Sequence, residues 1–129
     1  AGVKEMFGKL GMNFVSLDPI IHDRSYAYVS HLSHAIAYAL GLSVLEMEKE
    51  IVGLRELSGS GFSSTVRLAK SSSKMWVPVL LQNEVETNRA IDSFITQLTE
   101  LKKLMEKKDA AGLKKYIEKA NEIGKFIGN

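Results

Sequence analysis

The stretch Asp18-Pro19-Ile20-Ile21-His22-Asp23-Arg24-Ser25-Tyr26-Ala27-Tyr28-Val29-Ser30-His31-Leu32-Ser33-His34-Ala35-Ile36-Ala37-Tyr38-Ala39-Leu40-Gly41-Leu42-Ser43-Val44-Leu45 decides how the chain folds. Asp18 followed by Pro19 is a strong helix start: an aspartate N-cap, then a proline whose missing N–H costs nothing in the first turn. From there a helix is expected to run to about Leu45, with Gly41 marking a kink or a close approach. Between Ser25 and Leu45 there is no Asp, Glu, Lys or Arg. Such a length could span a bilayer, which takes about 20 apolar residues. The two histidines, four serines and three tyrosines in it argue against lipid, where polar groups are costly. The expectation is therefore a helix buried inside protein on most sides, and no membrane partner.

Working outward, Val3 to Leu10 reads as an amphipathic helix stopped by Gly11, and Met12 to Leu17 as one short strand. A lone strand needs a partner for its backbone groups. Residues 1–17 therefore read as the last helix and strand of an α/β domain that precedes the chain, and residues 18–129 as a helical domain. Downstream, Glu46 to Leu57 reads as a second, shorter helix. Ser58-Gly59-Ser60-Gly61 is a flexible turn, and Phe62 to Lys70 a short helix ended by Ser71-Ser72-Ser73. Lys74 to Lys108 reads as one long helix. Ile91, Phe94, Ile95, Leu98, Leu101, Leu104 and Met105 recur there at three- and four-residue steps. Asp109 caps a last helix with Leu113, Tyr116, Ile117, Ala120, Ile123 and Ile127 on its apolar face.

Composition closes off several functions. The 129 residues carry 17 Lys+Arg against 15 Asp+Glu, a net charge of +2, too little to argue for nucleic acid. Residues 102–125 hold eight lysines and four acids, which reads as a solvated helix face. There is no cysteine, hence no disulfide framework, no thiolate metal centre and no thiol nucleophile. That composition fits a cytoplasmic protein.

Few residues are left that could carry chemistry. On a regular helix Asp23, Ser30 and His34 share one stripe, and His31 lies away from it. Such a stripe either lines a polar cavity or satisfies a core histidine. His22, His31 and His34 do not converge, so no metal site is expected. Arg67 is the only cation from Gly59 to Ala69. It reads equally as a fork for a carboxylate or phosphate and as the partner of Glu56 or Glu84. Trp76, the only tryptophan, reads first as a packing anchor.

Taken together, His22-Asp23-Arg24, Val29-Ser30-His31-Leu32-Ser33-His34, Gly59-Ser60-Gly61-Phe62, Arg67-Leu68-Ala69, Met75-Trp76 and Asn83 resemble the C-terminal helical domain of prephenate dehydrogenases. The resemblance implies a mainly α fold: a helical-bundle dimerisation domain of the 6-phosphogluconate-dehydrogenase-like C-terminal type, preceded by a helix–strand remnant of an α/β Rossmann domain. It implies a homodimer, NAD or NADP held mainly by that missing domain, and no metal. The implied reaction is oxidative decarboxylation of prephenate to 4-hydroxyphenylpyruvate, in tyrosine biosynthesis. The catalytic histidine would belong to the Rossmann domain, so these 129 residues alone should be inactive. Carried over by position, Arg67 would clamp a carboxylate of prephenate. His34 and Ser30 would contact prephenate or L-tyrosine, and Asp23, Trp76, Ser60 and Gly61 would shape the pocket. Ser33, Ser60, Ser63 and Ser64 depart from the family pattern and leave arogenate open as the substrate. A stand-alone helical interaction module is the reading of another class. A helical chorismate mutase would need several converging cations, where this stripe has only Arg67 nearby.

Overall fold

The structure, a computed structural model, describes residues 2–128. Among them every regular element is helical, and the chain divides into two compact units, Ala1–Thr87 and Asn88–Asn129.

The first unit opens with α1, Gly2–Gly8, and Gly11 ends its turn at φ 73°, a left-handed geometry that glycine adopts without strain. Residues 12–18 then form no strand, contrary to expectation. No second strand lies among the described residues to pair with them, so their backbone has no ladder to join. Phe14 instead comes back towards Phe7, ring centroids 6.3 Å apart.

Asp18 caps α2 as its residue type dictates, Oδ1 accepting from the Ile20 N–H at 2.9 Å, with Pro19 in the first turn. Helix α2, Pro19–Tyr26, passes through a wide π turn, Ala27–His31, into α3, Leu32–Glu48, without a break. These 30 residues are long and apolar enough, by length and composition, to cross a membrane. The expectation that they are buried on most sides is not met within this chain. Only Ala27 and Ala37 are fully buried, and Ile20, Val29, Leu42 and Leu45 stand more than half exposed. The unit contains too few other elements to cover this helix all round.

The second short helix expected over 46–57 does not form. After Glu48 the chain turns through Gly53 at φ 83°, leaving a single 3-10 turn, Arg55–Leu57. An Arg55–Glu48 ion pair closes this loop, with Nη2 to Oε2 at 3.2 Å. Helix α4, Ser60–Val66, and a 3-10 turn, Arg67–Lys70, pack back on α3. Gly41 faces Ala69 there, and a Cβ on it would make an ordinary contact with Ala69 Cβ at 3.8 Å. The Tyr38 hydroxyl donates to the Ser71 carbonyl at 3.3 Å.

The long helix expected over 74–108 is two helices, α5, Ser73–Gln82, and α6, Glu84–Glu106. Asn83 separates them with φ −115° and ψ 36°. Its side chain bonds the Asp23 carbonyl and His31, both outside the helix. Pro78, in the second turn of α5, leaves the Lys74 carbonyl without its usual donor.

In the second unit α6 turns at Lys108, φ 52°, into α7, Ala110–Ala120. Asp109 caps α7, accepting from the Gly112 N–H at 2.9 Å. A Cβ on Gly112 would crowd the Asp109 carboxylate and meet Leu104 Cδ2 at 2.7 Å, so those side chains would have to shift where the two helices cross. Tyr116 ties them further, its hydroxyl donating to the Gln97 carbonyl at 2.9 Å. The apolar row of α6 splits into two faces. Ile91, Phe94, Leu101 and Leu104 are partly covered, whereas Ile95, Leu98 and Met105 stand 53%, 52% and 55% exposed. The lysines lie on the solvated side, Lys102 and Lys114 each 3.8 Å from a glutamate one turn on.

Candidate functional site

The first unit gathers its polar side chains around one break in the helices. The π turn at Ala27–His31 adds width to the α2–α3 helix and re-aims the side chains of α3. His34 then stacks on Trp76 of α5, centroids 3.4 Å apart and planes 21° apart. His31 meets the same indole edge-on at 6.0 Å. The half-buried Trp76 therefore sits between two imidazoles.

Each ring is fixed by a separate hydrogen bond. His34 Nδ1 lies 3.0 Å from the Ser30 backbone carbonyl, which can only accept. His31 Nδ1 lies 3.2 Å from Asn83 Nδ2 and 3.4 Å from Thr87 Oγ1. Asn83 Nδ2 also donates to the Asp23 carbonyl at 2.8 Å. Beside them His22 Nδ1 is 3.1 Å from Asp23 Oδ1 and stacks near Tyr26 at 4.5 Å. His22, Asp23, Tyr26, His31, Val79, Gln82 and Asn83 line a cavity of about 370 Å³. Among the described residues no group of three or more His, Asp or Glu side chains is placed to hold a metal ion.

Of the residues singled out from sequence, the structure brings His34 and Trp76 together, and Ser30 to His34 through its backbone. Asp23 reaches the cluster through its own carbonyl. Arg67, Ser60 and Gly61 lie on α4 and the 3-10 turn after it, which pack on α3, and no hydrogen bond or ring contact ties them to the His31–His34–Trp76 cluster. Arg67 is exposed, and its guanidinium pairs with neither Glu56 nor Glu84 nor any other described carboxylate. The stripe reading missed His31, Asn83 and Thr87. A regular helical period places His31 off the polar stripe, and only the π turn and the break at Asn83 bring it in. Asn83, a poor helix former just after the apolar run Met75–Leu81, was the available signal.

Burial pushes the His31 pKa below 6.5, with His34 and His22 lowering it further and Asp23 opposing them. A histidine held neutral in this way binds fewer protons folded than unfolded. Its contribution to stability is complete above pH 6.5 and is lost as the pH falls from there through the lowered folded-state value. Urea midpoints at about pH 7.5 and about pH 5.5 should therefore fall with acidification, and fall less in His31→Gln. An equal acid loss in both proteins would place the sensitivity elsewhere.

A dinucleotide cradle is a strand, a glycine turn and a helix. The described residues contain no strand, so they do not fit a nicotinamide dinucleotide by themselves.

Comparison with known proteins agrees with this architecture. The family model described as the prephenate dehydrogenase dimerization domain matches residues 18–119. The prephenate dehydrogenase of Lactococcus lactis is 30% identical over 121 residues, 94% of this chain and 34% of that protein. That of Bacillus subtilis is 26% identical over 120 residues, 93% of this chain and 32% of that protein. The chain thus spans about a third of the length of the curated relatives it matches. The crystal structure of prephenate dehydrogenase from A. aeolicus with hydroxyphenyl propionate and NAD+ superposes with a TM-score of 0.89 at 31% identity. That match covers 98% of this chain and 44% of the other. The helical bundle and the family model that spans it place the chain in the prephenate dehydrogenase family, as its dimerization domain.

Proposed function

We propose that residues 18–129 are the substrate-binding and dimerisation part of an NAD(P)-dependent prephenate dehydrogenase, and that residues 1–17 close its nucleotide-binding domain. The enzyme would be cytoplasmic and would oxidise and decarboxylate prephenate to 4-hydroxyphenylpyruvate on the way to tyrosine. The observation that carries this reading is the Trp76–His34 stack with His31 at its edge, in a chain that belongs to this family.

Prephenate is a dianion with an apolar ring. Arg67 supplies a planar cation not engaged by a protein carboxylate, suited to grip one carboxylate through two oxygens. His34 and Ser30 supply neutral polar contacts, and Asp23, Trp76, Ser60 and Gly61 shape the space. Fixing both ends of the substrate leaves the ring carbinol turned towards the cofactor, which a nucleotide-binding domain would hold and which would accept hydride. The residues here bind and orient; they supply no hydride acceptor, and the 129 residues alone should not turn over prephenate.

The homodimer is supported by the matching family model, described as a dimerization domain, and by the exposed apolar row Ile95, Leu98 and Met105 on α6.

Trp76 is the only tryptophan and so a built-in reporter. Adding prephenate or L-tyrosine to the chain should change its fluorescence saturably, and Arg67→Ala should move the midpoint to higher concentration. A spectrum indifferent to both ligands would contradict a substrate site beside Trp76.

A further inference from the structure

The polar atoms around His31 determine which of its nitrogens carries the proton, and Asn83 is the residue that makes the choice. Asn83 Nδ2 faces the Asp23 carbonyl at 2.8 Å and His31 Nδ1 at 3.2 Å. A backbone carbonyl accepts and never donates. Turning the amide over would set oxygen against oxygen at Asp23, so the Asp23 carbonyl fixes the amide with its nitrogen inward. Its second hydrogen then points to His31 Nδ1, which must offer a lone pair. The proton of neutral His31 therefore sits on Nε2.

The opposite holds for His34. Its Nδ1 must donate to the Ser30 carbonyl at 3.0 Å, leaving Nε2 with the lone pair. Neither Nε2 has a protein partner, and no buried side-chain nitrogen or oxygen among the described residues lacks one. Both Nε2 atoms are thus open to solvent or ligand. Two imidazoles flanking one indole present opposite hydrogen-bonding character.

We propose that Asn83 is a positioning residue of the binding site: it locks His31 as the Nε2–H tautomer, so that His31 meets the ligand as a donor and His34 as an acceptor. The part of this that concerns a ligand rests on the substrate-site reading above; the tautomer assignment does not. A keto acid with a ring hydroxyl suits the pair, since its carbonyl or carboxylate accepts from one ring and its hydroxyl donates to the other. The charged groups facing His31 are few. Asp23 and His22 come from α2 and His34 from α3, while Glu86 of α6 is turned to Arg24 at 3.5 Å.

Nitrogen-15 spectra of the imidazoles in the whole chain, at a pH where the rings are neutral, test this directly. The expected pattern is a protonated Nε2 and a lone-pair Nδ1 for His31, and the reverse for His34. A His31 carrying its proton on Nδ1 overturns the proposal, whatever any variant does. In Asn83→Asp a carboxylate faces Nδ1, so the proton should move there and the His31 titration midpoint should rise by about one pH unit or more. Thr87→Val should leave the tautomer as it is; a switch in that variant would assign the lock to Thr87 and overturn the role of Asn83. Prephenate is the probe for the second half. If Trp76 fluorescence reports binding and the His31 Nε2 signal does not move, the donor role fails while the functional reading stands. If prephenate does not bind at all, the functional reading fails and the ligand half with it, and the spectrum of the free chain still decides the tautomer.

Discussion

Replacing Arg67 by alanine should raise the KM for prephenate by about 30-fold in the enzyme that carries this domain, the low end of what truncating one partner of a buried charge pair costs, the state this exposed arginine would reach once bound substrate covers it. The effect should be large because the guanidinium meets no carboxylate among the described residues that would compete with the substrate for it. It falls on KM more than on kcat, because a grip on a carboxylate remote from the reacting carbinol is made alike in the ground and transition states. Arg67→Lys should recover only part of the loss, since an ammonium lacks the fork that matches two oxygens. His34→Ala should cost less, as it removes a neutral contact and a stack, and either change should weaken inhibition where tyrosine inhibits. Steady-state kinetics on folded variants decide it. An unchanged KM in both would remove Arg67 and His34 from the substrate site.

Leu98→Glu converts the dimer to a monomer, with a dissociation constant raised more than about 100-fold. Ile95, Leu98 and Met105 form the open row on α6 and line a groove of about 310 Å³ with Thr99, Leu101 and Lys102. In a two-fold dimer each substitution counts twice. Each of two leucines, about half exposed before association, loses roughly 0.8–1.5 kcal/mol of burial, before the desolvation of two carboxylates is added. Because the side chain is about half exposed in the free chain, the monomer should keep its helicity. Sedimentation of the two proteins, with circular dichroism as the check on folding, separates a lost interface from a lost fold. A wild type that sediments as a monomer at high concentration would contradict the dimer itself, and a dimeric variant would move the interface off this row.

The parts of the fold that were legible in the sequence are those set by local chemistry. Asp18-Pro19 and Asp109 cap helices because their oxygens reach backbone N–H groups two or three residues on. Gly11 ends α1 because its turn needs positive φ. The Asp18-Pro19 start located the α2–α3 helix, and apolar spacing located α6 and α7, although α5 and α6 read as one helix. What could not be read was set by tertiary contacts. The break at Asn83 coincides with the bonds of its amide to Asp23 and His31, 60 and 52 residues away along the chain. The π turn changes the helical register by its width, and so the stripe of Asp23, Ser30 and His34 misplaced His31. The burial expected of residues 25–45 failed for a related reason: an apolar sequence shows that a surface is to be covered, not which chain covers it. Met12 to Leu17 carries a strand's composition, yet composition supplies no partner strand. Within the site, residue types pointed to His34 and Trp76, and the resemblance to a family pointed to Arg67; the hydrogen-bonding logic of His31 was visible only in three dimensions.

The most direct measurement is reduction of NAD or NADP by the enzyme that carries this domain, with prephenate as substrate and arogenate beside it. Reduced cofactor should form with prephenate, together with carbon dioxide and 4-hydroxyphenylpyruvate, and the 129 residues alone should give none. Absence of reduction with either cofactor on either substrate, by a folded and dimeric enzyme, would contradict the proposed function and leave the helices an assembly module.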